Sequence, residues 1–453
     1  MIVSFSVANF RSFSTEETLN LVASPRLGQS HKEHEIAIPN SDEKVLRTAV
    51  LYGANGAGKS NLFKALSFVK RIALGSRAKG SGTGREAFLL GSRAAEPSSF
   101  DLQLIADSKL YRFGFKADDN RITEEWLARI DGSKEKILYE RVTDETGKVK
   151  VNVPGISSAK KLKALATVAG PQNQSFLATI HLTLEKADLD DQLRSILEWF
   201  ENGLVLIGPS APFRGLGNRL AKDDGFKEFA SGFLKATSTG VDHLDVVKTE
   251  IKDEELLASL ADPGLTSAFK LLKESKKGTT FLTNDRGTEL RKDGDVFSII
   301  KIRSMHAHKQ GQEVALELAD ESDGTQRLLN LLPALYYPRN KGAAYFIDEI
   351  DRSLHPKLVF DFLKFFLRSC EGTQRQVIVT THESNLLDLE LLRRDEIWFA
   401  EKDKEAATRL YSLSDFKVRN DLEIRKHYLQ GRFGAIPFLG NLARLLDDQG
   451  CPE

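Results

Sequence analysis

The chain has 453 residues, which at roughly 150 residues per domain is enough for about three domains. Its 64 basic residues balance its 64 acidic residues, and this excludes a protein whose whole surface is an electrostatic footprint for nucleic acid, while local basic patches stay compatible with it. The hydrophobic share of 41% and the charged share of 28% exclude a disordered chain and are typical of a globular protein.

The first part of the chain predicts two strands, a glycine-rich loop, a helix and then further strands. Apolar residues alternate over residues 2–7, and the apolar run VLRTAVLY at 45–52 leads into the loop. Apolar residues then recur at helical spacing over 60–74. The strand-like segments SFDLQLIA, LYRFGFKA and KVKVNVP follow, so we expect an antiparallel β subdomain that ends near residue 155.

Residues 64–93 form a basic stretch, with seven lysines and arginines against the single acid Glu86. The stretch surrounds the loop GSRAKGSGTG, which is flexible by composition. Runs of charged residues are usually solvent-exposed surface without a partner. A solvated loop is therefore the favoured interpretation, and contact with DNA or RNA is the alternative.

The remainder of the chain changes from a helical to an alternating pattern. Residues 156–300 predict mainly helices, as in DLDDQLRSILEWFENGL and KDEELLASLADPGLTSAFKLLKES, without the sustained heptads of a coiled coil. From residue 301 the apolar strands AAYFID, QVIVTT and EIWFAE alternate with helices. The sequence therefore predicts an α/β fold in three parts: an N-terminal lobe (1–155), a mainly helical insert for dimerisation or partner docking (156–300) and a C-terminal lobe (301–453).

Cysteine content and hydropathy predict a cytoplasmic protein. The two cysteines, Cys370 and Cys451, cannot supply a disulfide framework or a cysteine-rich metal site. The segment MIVSFSVANFRSF lacks the charged and apolar regions of a signal peptide, and no stretch reaches the roughly 18 apolar residues of a membrane span. We therefore expect neither secretion nor membrane insertion.

The strongest motif is GANGAGKS, Gly53–Ser60, which fits the phosphate-binding pattern G-x-x-x-x-G-K-[S/T] at the junction of a strand and a helix. The glycines let the backbone wrap a phosphate chain, and the start of the helix favours its negative charge. Lys59 is expected to neutralise the β and γ phosphates, and Ser60 to offer its hydroxyl to Mg²⁺. The motif predicts binding of ATP with Mg²⁺. The other residues expected at the nucleotide are Gly53, Asn55, Gly56, Ala57, Gly58 and Asn61.

Two further motifs carry the residues expected to act on the nucleotide. The apolar strand in AAYFIDEID ends in two acids, of which Asp348 is expected to complete the Mg²⁺ shell through water and Glu349 to polarise the attacking water. His382 directly follows the next strand, QVIVTT. A lone histidine there can be a capping or core residue. The motif context instead favours a side chain that reaches the γ phosphate, so the expected catalytic residues are Glu349, His382 and Lys59.

The segment LADESDGTQRLLNLLPAL, residues 318–335, leaves two interpretations open. Ser322, Gly324 and Thr325 precede an apolar helix and can form an ordinary N-cap with a flexible turn. They can also form an anion-binding helix start that contacts a nucleotide held by a second subunit. Outside these motifs we expect no second active site, because no acid cluster, H-x-H series or Cys/His zinc spacing is evident. We also expect no appended TOPRIM domain in residues 440–453.

In their order along the chain, GANGAGKS, ESDGTQ, YFIDE, IDRSLHP and TTH resemble the phosphate loop, signature turn, Asp-Glu strand, D-loop and switch histidine of ABC-type ATPase heads of the SMC and RecF kind. The resemblance implies a homo-oligomer of head-to-head dimers, with higher orders left open. It also implies that each ATP lies between the phosphate loop of one subunit and Ser322 and Gly324 of the other, with Asp351 and Ser353 as D-loop residues.

The start of the chain adds to this resemblance. NFRSF, residues 9–13, is similar to the N-F-R element that these ATPases place beside the nucleotide, which implies that Arg11 lies near the phosphates. A Q-loop glutamine is not evident, and Gln103, in a predicted strand, is a weak match.

A closer resemblance covers nearly the whole chain. NFRSF with LNLVAS, the segments EEWLARI and ILEWFENGL, and YLQGRFGAIPFLG at 428–440 resemble a bacterial family of single-chain ABC-type ATPases that includes RloA-like proteins and AriA, the ATPase subunit of the PARIS anti-phage system. The resemblance implies an oligomeric ATPase that holds or licenses a toxic effector, often a TOPRIM-type or related nuclease, until a phage-encoded trigger acts.

The implied role is in abortive infection and is similar to that of a toxin–antitoxin pair. Two alternatives to this role stay open. One is a DNA-binding repair or maintenance ATPase of the SMC and RecF kind, whose paired heads clamp nucleic acid through residues 64–93. The other is a nucleotide-gated assembly that binds ATP and hardly hydrolyses it.

Overall fold

The computed structural model describes residues 1–78, 80–155, 160–210, 212–251, 263–274, 279–283, 288–307, 312–336, 342–370, 372–417 and 423–436. Part of the predicted helical pattern at 252–275, part of the similar segment at 428–440, and Cys451 lie outside these ranges.

The secondary structure alternates between strands and helices along most of the chain. The strands are β1 (Ile2–Ala8), β2 (Glu17–Asn20), β3 (Glu35–Ala37), β4 (Lys44–Leu46), β5 (Thr48–Tyr52), β6 (Ser98–Ala106), β7 (Lys109–Ala117), β8 (Ile122–Asp131), β9 (Lys134–Thr143), β10 (Val149–Asn152), β11 (Leu204–Ile207), β12 (His243–Ile251), β13 (Thr279–Thr283), β14 (Glu289–Asp293), β15 (Val296–Ala307), β16 (Glu313–Glu317), β17 (Ala343–Ile347), β18 (Arg375–Thr380), β19 (Ile397–Lys402) and β20 (Thr408–Ser412). The helices are α1 (Lys59–Leu74), α2 (Lys160–Val168), α3 (Phe176–Thr183), α4 (Asp191–Glu198), α5 (Leu216–Lys222), α6 (Asp224–Ala236), α7 (Pro263–Glu274), α8 (Asp323–Leu335), α9 (Pro356–Ser369) and α10 (Ile424–Leu429).

The chain divides into two compact units. The first unit comprises Met1–Leu206, Gly342–Asp348 and Gln374–Glu453, and the second comprises Ile207–Lys341 and Glu349–Thr373. This division differs from the three predicted parts, because α2, α3 and α4 of the predicted insert pack in the first unit. The first unit therefore combines segments from the N-terminal and the C-terminal parts of the chain.

The first unit contains a mixed sheet with strand order β11-β17-β18-β5-β19-β20. The four central strands run parallel, and β20 pairs antiparallel with β19. Every residue of β5, β17 and β18 is buried, as expected for parallel strands covered on both faces. The three predicted C-terminal strands are therefore confirmed, and two of them, β18 and β19, flank the strand that leads into the glycine-rich loop.

The predicted antiparallel β subdomain is also confirmed, and it belongs to the same unit. Its strand order is β10-β9-β8-β7-β6-β1-β2, so the N-terminal strand pairs with β6. The apolar face of α1 buries Leu62, Leu66 and Val69 in one core with the phenylalanines of β6 and β7. Because α1 begins at the glycine-rich loop, this core fixes the direction in which the helix leaves the loop.

The second unit contains an antiparallel sheet that the sequence did not predict. Its order is β12-β15-β14-β13, with β16 paired to β15. Helices α5, α6 and α7 agree with the predicted helical insert, but the prediction is wrong for residues 243–251, 279–283, 289–293 and 296–300, which form strands β12 to β15. These strands escaped prediction because β12 (HLDVVKTEI) and β14 (ELRKD) carry charged residues in place of regular apolar alternation.

Among the helices that the structure describes, none is long and apolar enough to cross a membrane.

A buried carboxylate connects the antiparallel sheet to α3. Glu125 of β8 accepts hydrogen bonds from the backbone amides of Phe176 and Leu177 at 2.8 and 3.1 Å, and from the Tyr139 hydroxyl at 2.7 Å. The Arg141 guanidinium lies 3.9 Å away, and both charged side chains are fully buried. Burial raises the pKa of Glu125, while its hydrogen bonds and the nearby Arg141 favour the ionised form.

We expect Glu125→Ala to lower the free energy of unfolding by about 3–5 kcal/mol, because it leaves two helix-start amides without this acceptor and a buried guanidinium without its nearby negative charge. The matched control is Glu124→Ala, which removes only an exposed ion pair with Lys116 and should cost less than about 1 kcal/mol. Denaturant midpoints followed by circular dichroism compare the two variants. Equal midpoints would contradict the role given to Glu125.

Candidate functional site

The glycine-rich loop connects β5 to α1, and its glycines are required by both conformation and space. Gly56 and Gly58 have φ angles of +77° and +109°, in the left-handed region that favours glycine. A Cβ at Gly53 would lie 2.5 Å from the carbonyl oxygen of Ala400, and a Cβ at Gly58 would overlap the Thr408 hydroxyl. The loop therefore lies directly against β19 and β20, with no room for larger residues at these positions.

Lys59 folds back over the loop that precedes it. Its Nζ donates to the carbonyl oxygens of Gly53 at 2.7 Å and Ala54 at 3.2 Å, and the side chain is buried. Gly58 offers no side chain to cap α1, so the start of this 16-residue helix is open to an anion. A cationic lysine, a loop of glycines and an uncapped helix start together fit a chain of phosphates.

Ser60 and Asp348, the two residues expected at Mg²⁺, lie in contact. The Ser60 hydroxyl donates to Asp348 Oδ1 at 3.2 Å, and the Thr380 hydroxyl donates to the same oxygen at 2.6 Å. Asp348 is only 1% exposed. Hydroxyl and carboxylate oxygens are ligands that Mg²⁺ accepts, so the donor set fits this ion. Thr380 is a neighbour of the site that the sequence analysis did not identify.

Two further residues that the sequence analysis missed support the loop from behind. The Thr408 hydroxyl lies 2.8 Å from the carbonyl oxygen of Ala57 and 2.7 Å from the Ser12 hydroxyl. The Asn61 amide donates to the same Ser12 hydroxyl at 2.8 Å. The Asn61 side chain, expected at the nucleotide, is thus engaged in bracing the loop. Ser12 could have been found through its position in NFRSF, whereas Thr408 belongs to no motif.

Arg11 is held by an acid in this structure. Its guanidinium pairs with Glu86 at 2.6 Å, and its backbone amide donates to the Glu86 carbonyl at 2.7 Å. Asn9 and Arg11 both have positive φ angles, 49° and 51°, so NFRSF is a tightly turned segment. A phosphate near Arg11 would have to compete with the Glu86 carboxylate.

The basic stretch 64–93 uses much of its charge inside the protein. Lys70 donates to two backbone carbonyls, the closer at 2.6 Å, and Arg85 pairs with Asp119 at 2.7 Å while only 3% of its side chain is exposed. Lys79 lies outside the described residues. Cations engaged in this way favour a structural interpretation over a phosphate-binding surface.

His382 is exposed and lies two residues beyond the end of β18. Strand β18 runs parallel between β17, which leads to Asp348, and β5, which leads to the loop. The carboxyl ends of parallel strands meet at one edge of a sheet. His382 therefore lies just beyond the edge of the sheet at which Asp348 and the glycine-rich loop begin. Gln103 instead lies inside the ladder of β6, opposite Ser4 of β1, and this position gives no support to a Q-loop role.

In the second unit, the structure gives the signature turn a clear local role. The Ser322 hydroxyl accepts from the Thr325 amide at 3.2 Å and caps α8, as the simpler interpretation requires. Ser322 itself is exposed. A Cβ at Gly324 would lie 2.9 Å from the Ser353 carbonyl oxygen, so the glycine permits close packing of the turn on the D-loop segment. Asp351 lies in that segment, where its carbonyl accepts from the Leu354 amide.

Glu349 has a strained backbone that a buried arginine stabilises. Its φ angle is +49°, unusual for a residue with a side chain. Arg327 of α8 donates to the Glu349 carbonyl at 2.9 Å and to the Gly208 carbonyl at 2.6 Å. Arg327 is 6% exposed. The sequence analysis did not identify Arg327, because an arginine in an apolar helix carries no motif of its own.

Comparison with known proteins adds a family match. Residues 49–388 match the family model described as "AAA domain, putative AbiEii toxin, Type IV TA system". A search of curated proteins finds no match.

Solved structures with a related fold include three SMC head domains. The SMC head domain from Thermotoga maritima is 13% identical, with a TM-score of 0.35, and the alignment covers 91% of this chain and 98% of that one. The SmcHead bound to the C-winged helix domain of ScpA is 14% identical, with a TM-score of 0.40 and coverage of 91% and 97%. The Smc head domain with an extended coiled coil, bound to the C-terminal domain of ScpA derived from Pyrococcus furiosus, is 14% identical, with a TM-score of 0.30 and coverage of 91% and 96%.

We expect Gly58→Ala to weaken ATP binding about 10- to 100-fold, because a left-handed residue with a Cβ is strained by about 1–3 kcal/mol and this Cβ also meets Thr408. The matched control is Gly80→Ala, since Gly80 has a φ angle of +82° and open space around it. Titration with a fluorescent ATP analogue measures both. An unchanged affinity in Gly58→Ala would disprove the packing argument.

We expect Arg327→Met to lower the kcat of ATP hydrolysis about 10- to 100-fold if Glu349 has the catalytic role expected from the sequence, because a small displacement costs a catalytic group much of its effect. The affinity for ATP should stay within about twofold, since the Glu349 and Gly208 carbonyls that Arg327 contacts are not part of the phosphate loop. Arg352→Met is the control, because Arg352 reaches the Glu349 side chain only at 4.0 Å and is half exposed. Equal kcat values for the two variants would contradict the positioning role.

Proposed function

Because the chain belongs to the family described as "AAA domain, putative AbiEii toxin, Type IV TA system" and is a nucleotide-hydrolysing ATPase, we propose that it is the ATP-driven sensor or scaffold subunit of a two-component anti-phage defence system. In this role, of the RloA and AriA kind, it holds or licenses a toxic nuclease effector. The observation that carries the ATPase part is the contact between Ser60 of the phosphate loop and the buried Asp348.

The proposed chemistry assigns one task to each side chain. Lys59 neutralises the β and γ phosphates, and Ser60 and Asp348 hold Mg²⁺, which shields the charge of the phosphates when bound. Glu349 orients and polarises the attacking water, and His382 contacts the γ phosphate from the end of the neighbouring strand. The burial of Asp348 supports this assignment, because a carboxylate in that environment gains from a cation beside it.

The proposed assembly is a head-to-head dimer in which ATP is shared. Ser322 is exposed at the start of α8, and in this assembly it would reach the nucleotide of the second subunit together with Gly324 and Asp351. ATP binding would then join two heads, and hydrolysis would release them. The local cap made by Ser322 is compatible with this role, since its side chain stays accessible.

The proposed partners follow from the family description, which links these AAA domains to a toxin and a type IV TA system. For this chain we propose a companion nuclease of the TOPRIM type or a related type, released or activated by a phage-encoded trigger in the cytoplasm. The ATP-bound dimer would retain the nuclease, because this dimer forms only when ATP is shared between the two heads.

The alternative is a DNA-binding repair or maintenance ATPase. It draws on residues 64–93, but the internal contacts of Lys70 and Arg85 leave this stretch less charge for phosphates. Binding through phosphate contacts weakens steeply as salt rises. A mobility-shift assay over a salt series therefore tests this alternative directly, and tight, salt-sensitive binding to duplex DNA would favour it over the defence role.

We expect Glu349→Gln to lower the kcat of ATP hydrolysis at least about 100-fold while ATP still binds, because the amide cannot accept a proton from water. With ATP and Mg²⁺ this variant should accumulate as dimers in light scattering, whereas Lys59→Ala should stay monomeric. Glu390→Gln, an exposed acid, serves as the control.

The defence role is tested with the same variants in cells. The native gene with its flanking genes should reduce phage plaques, and both Lys59→Ala and Glu349→Gln should change that protection, since both block the ATP cycle. If both variants hydrolyse no ATP and still protect as well as the native gene, the link between ATPase and defence is wrong.

A further inference from the structure

A cluster of metal-ligand side chains lies outside the nucleotide site, in the segment HKEH that precedes β3. His31, Glu33 and His34 place one ligand atom each within 4.8 Å of the others. Glu33 Oε1 lies 3.3 Å from His31 Nδ1 and 3.8 Å from His34 Nε2. The sequence analysis expected no second metal cluster and overlooked this H-x-x-H spacing.

Each imidazole is oriented by a partner on its other nitrogen. His31 Nε2 lies 2.9 Å from the Leu389 carbonyl oxygen, and His34 Nδ1 lies 3.0 Å from both carboxylate oxygens of the buried Glu396. A carbonyl and a carboxylate only accept, so in the neutral rings these two nitrogens carry the hydrogens, and His31 Nδ1 and His34 Nε2 keep the lone pairs that a metal ion needs. Metal-binding histidines in proteins are oriented in this same manner.

The two distances from Glu33 are close to those of a metal site, while the ligand atoms of His31 and His34 lie within 4.8 Å of each other. Two ligands at about 2.0–2.1 Å from a tetrahedral zinc lie about 3.3–3.4 Å apart. The distance from His31 to Glu33 already has this value, and the distance from His34 to Glu33 is 0.4 to 0.5 Å longer, as expected of ligands without an ion. The two rings are stacked at 17°, with centroids 4.9 Å apart, so one ring tilts when both nitrogens turn to one ion.

A second cluster of possible metal ligands in the described residues differs from the first in its number of histidines. Asp242, His243 and Glu313 also lie close together. There a single histidine nitrogen, Nδ1, faces both acids, and Asp242 already pairs with Lys235 at 2.6 Å. That arrangement is an ordinary surface ion-pair network, without a second imidazole.

We propose that His31, Glu33 and His34 bind a divalent transition metal of the Zn²⁺ class, with a fourth coordination position open to water or a ligand. Two imidazoles and one carboxylate suit Zn²⁺ and its neighbours, whereas Mg²⁺ and Ca²⁺ prefer oxygen ligands. Three protein ligands with one open position are typical of zinc sites that bind a further group. The site is separate in chemistry from the Mg²⁺ expected at Ser60 and Asp348.

The experiment is a titration of the full-length, metal-stripped chain with Co²⁺, in excess Mg²⁺ so that the nucleotide site does not take up cobalt. We expect one Co²⁺ per chain, with the intense visible absorption of a four-coordinate site, and displacement of Co²⁺ by Zn²⁺. His31→Ala and Glu33→Gln should each weaken binding by about 100-fold or more, because each removes a direct ligand.

His243→Ala is the matched control and should bind Co²⁺ like the native chain. His31 and Glu33 are the chosen positions because they lie nearer the surface, whereas removal of His34 would leave the Glu396 carboxylate buried without its histidine. ATP binding by each variant shows that it is folded. Absent four-coordinate absorption in the native chain, or absorption that persists unchanged in His31→Ala and Glu33→Gln, would overturn the proposal.

Discussion

The contact on which the nucleotide site depends is the one between Asp348 and its two hydroxyl donors. Asp348 follows β17, Ser60 lies in the first turn of α1 after β5, and Thr380 ends β18, so one buried carboxylate connects three adjacent parallel strands. A buried carboxylate is costly unless donors or a cation compensate its charge. The hydroxyls of Ser60 and Thr380 stabilise this charge from the protein side, and a divalent ion in the proposed site would stabilise it further.

The loop would not keep its shape without strands from the far end of the chain. Ala400 of β19 and Thr408 of β20 form the surface on which Gly53 and Gly58 lie, and Ser12 near the N-terminus completes the contact. Ser12, Ala400 and Thr408 all fall outside the matched range 49–388. The candidate phosphate-binding and Mg²⁺-binding residues thus lie within the matched segment. The residues that contact the backbone of the glycine-rich loop lie on either side of that segment.

Local pattern was sufficient wherever one element carries its own signal. The strand, glycine loop and helix at 48–74, the buried strands β17 and β18, and the meeting of Ser60 with Asp348 could all be predicted, because the spacing of apolar and glycine residues dictates them. Thr408 could not, since its contact with Ala57 spans 351 residues and a threonine in a strand is unremarkable in sequence. Polar strands such as β14 could not be predicted, because their sequences lack the alternation of apolar residues that marks a strand. The spacing of His31 and His34 was visible, but the carboxylate that orients His34 lies 362 residues away.

The strained backbone of Glu349 gives the second unit a specific mechanical role. A left-handed conformation at a residue with a side chain costs roughly 1–3 kcal/mol and persists only where its surroundings impose it. Here the imposing group is Arg327, which lies on the same helix that Ser322 caps. A helix moves as a rigid element, so the cap and the guanidinium cannot be displaced independently. In the proposed dimer, a nucleotide that contacts the start of α8 from the other subunit would therefore act on the conformation of Glu349 through one side chain.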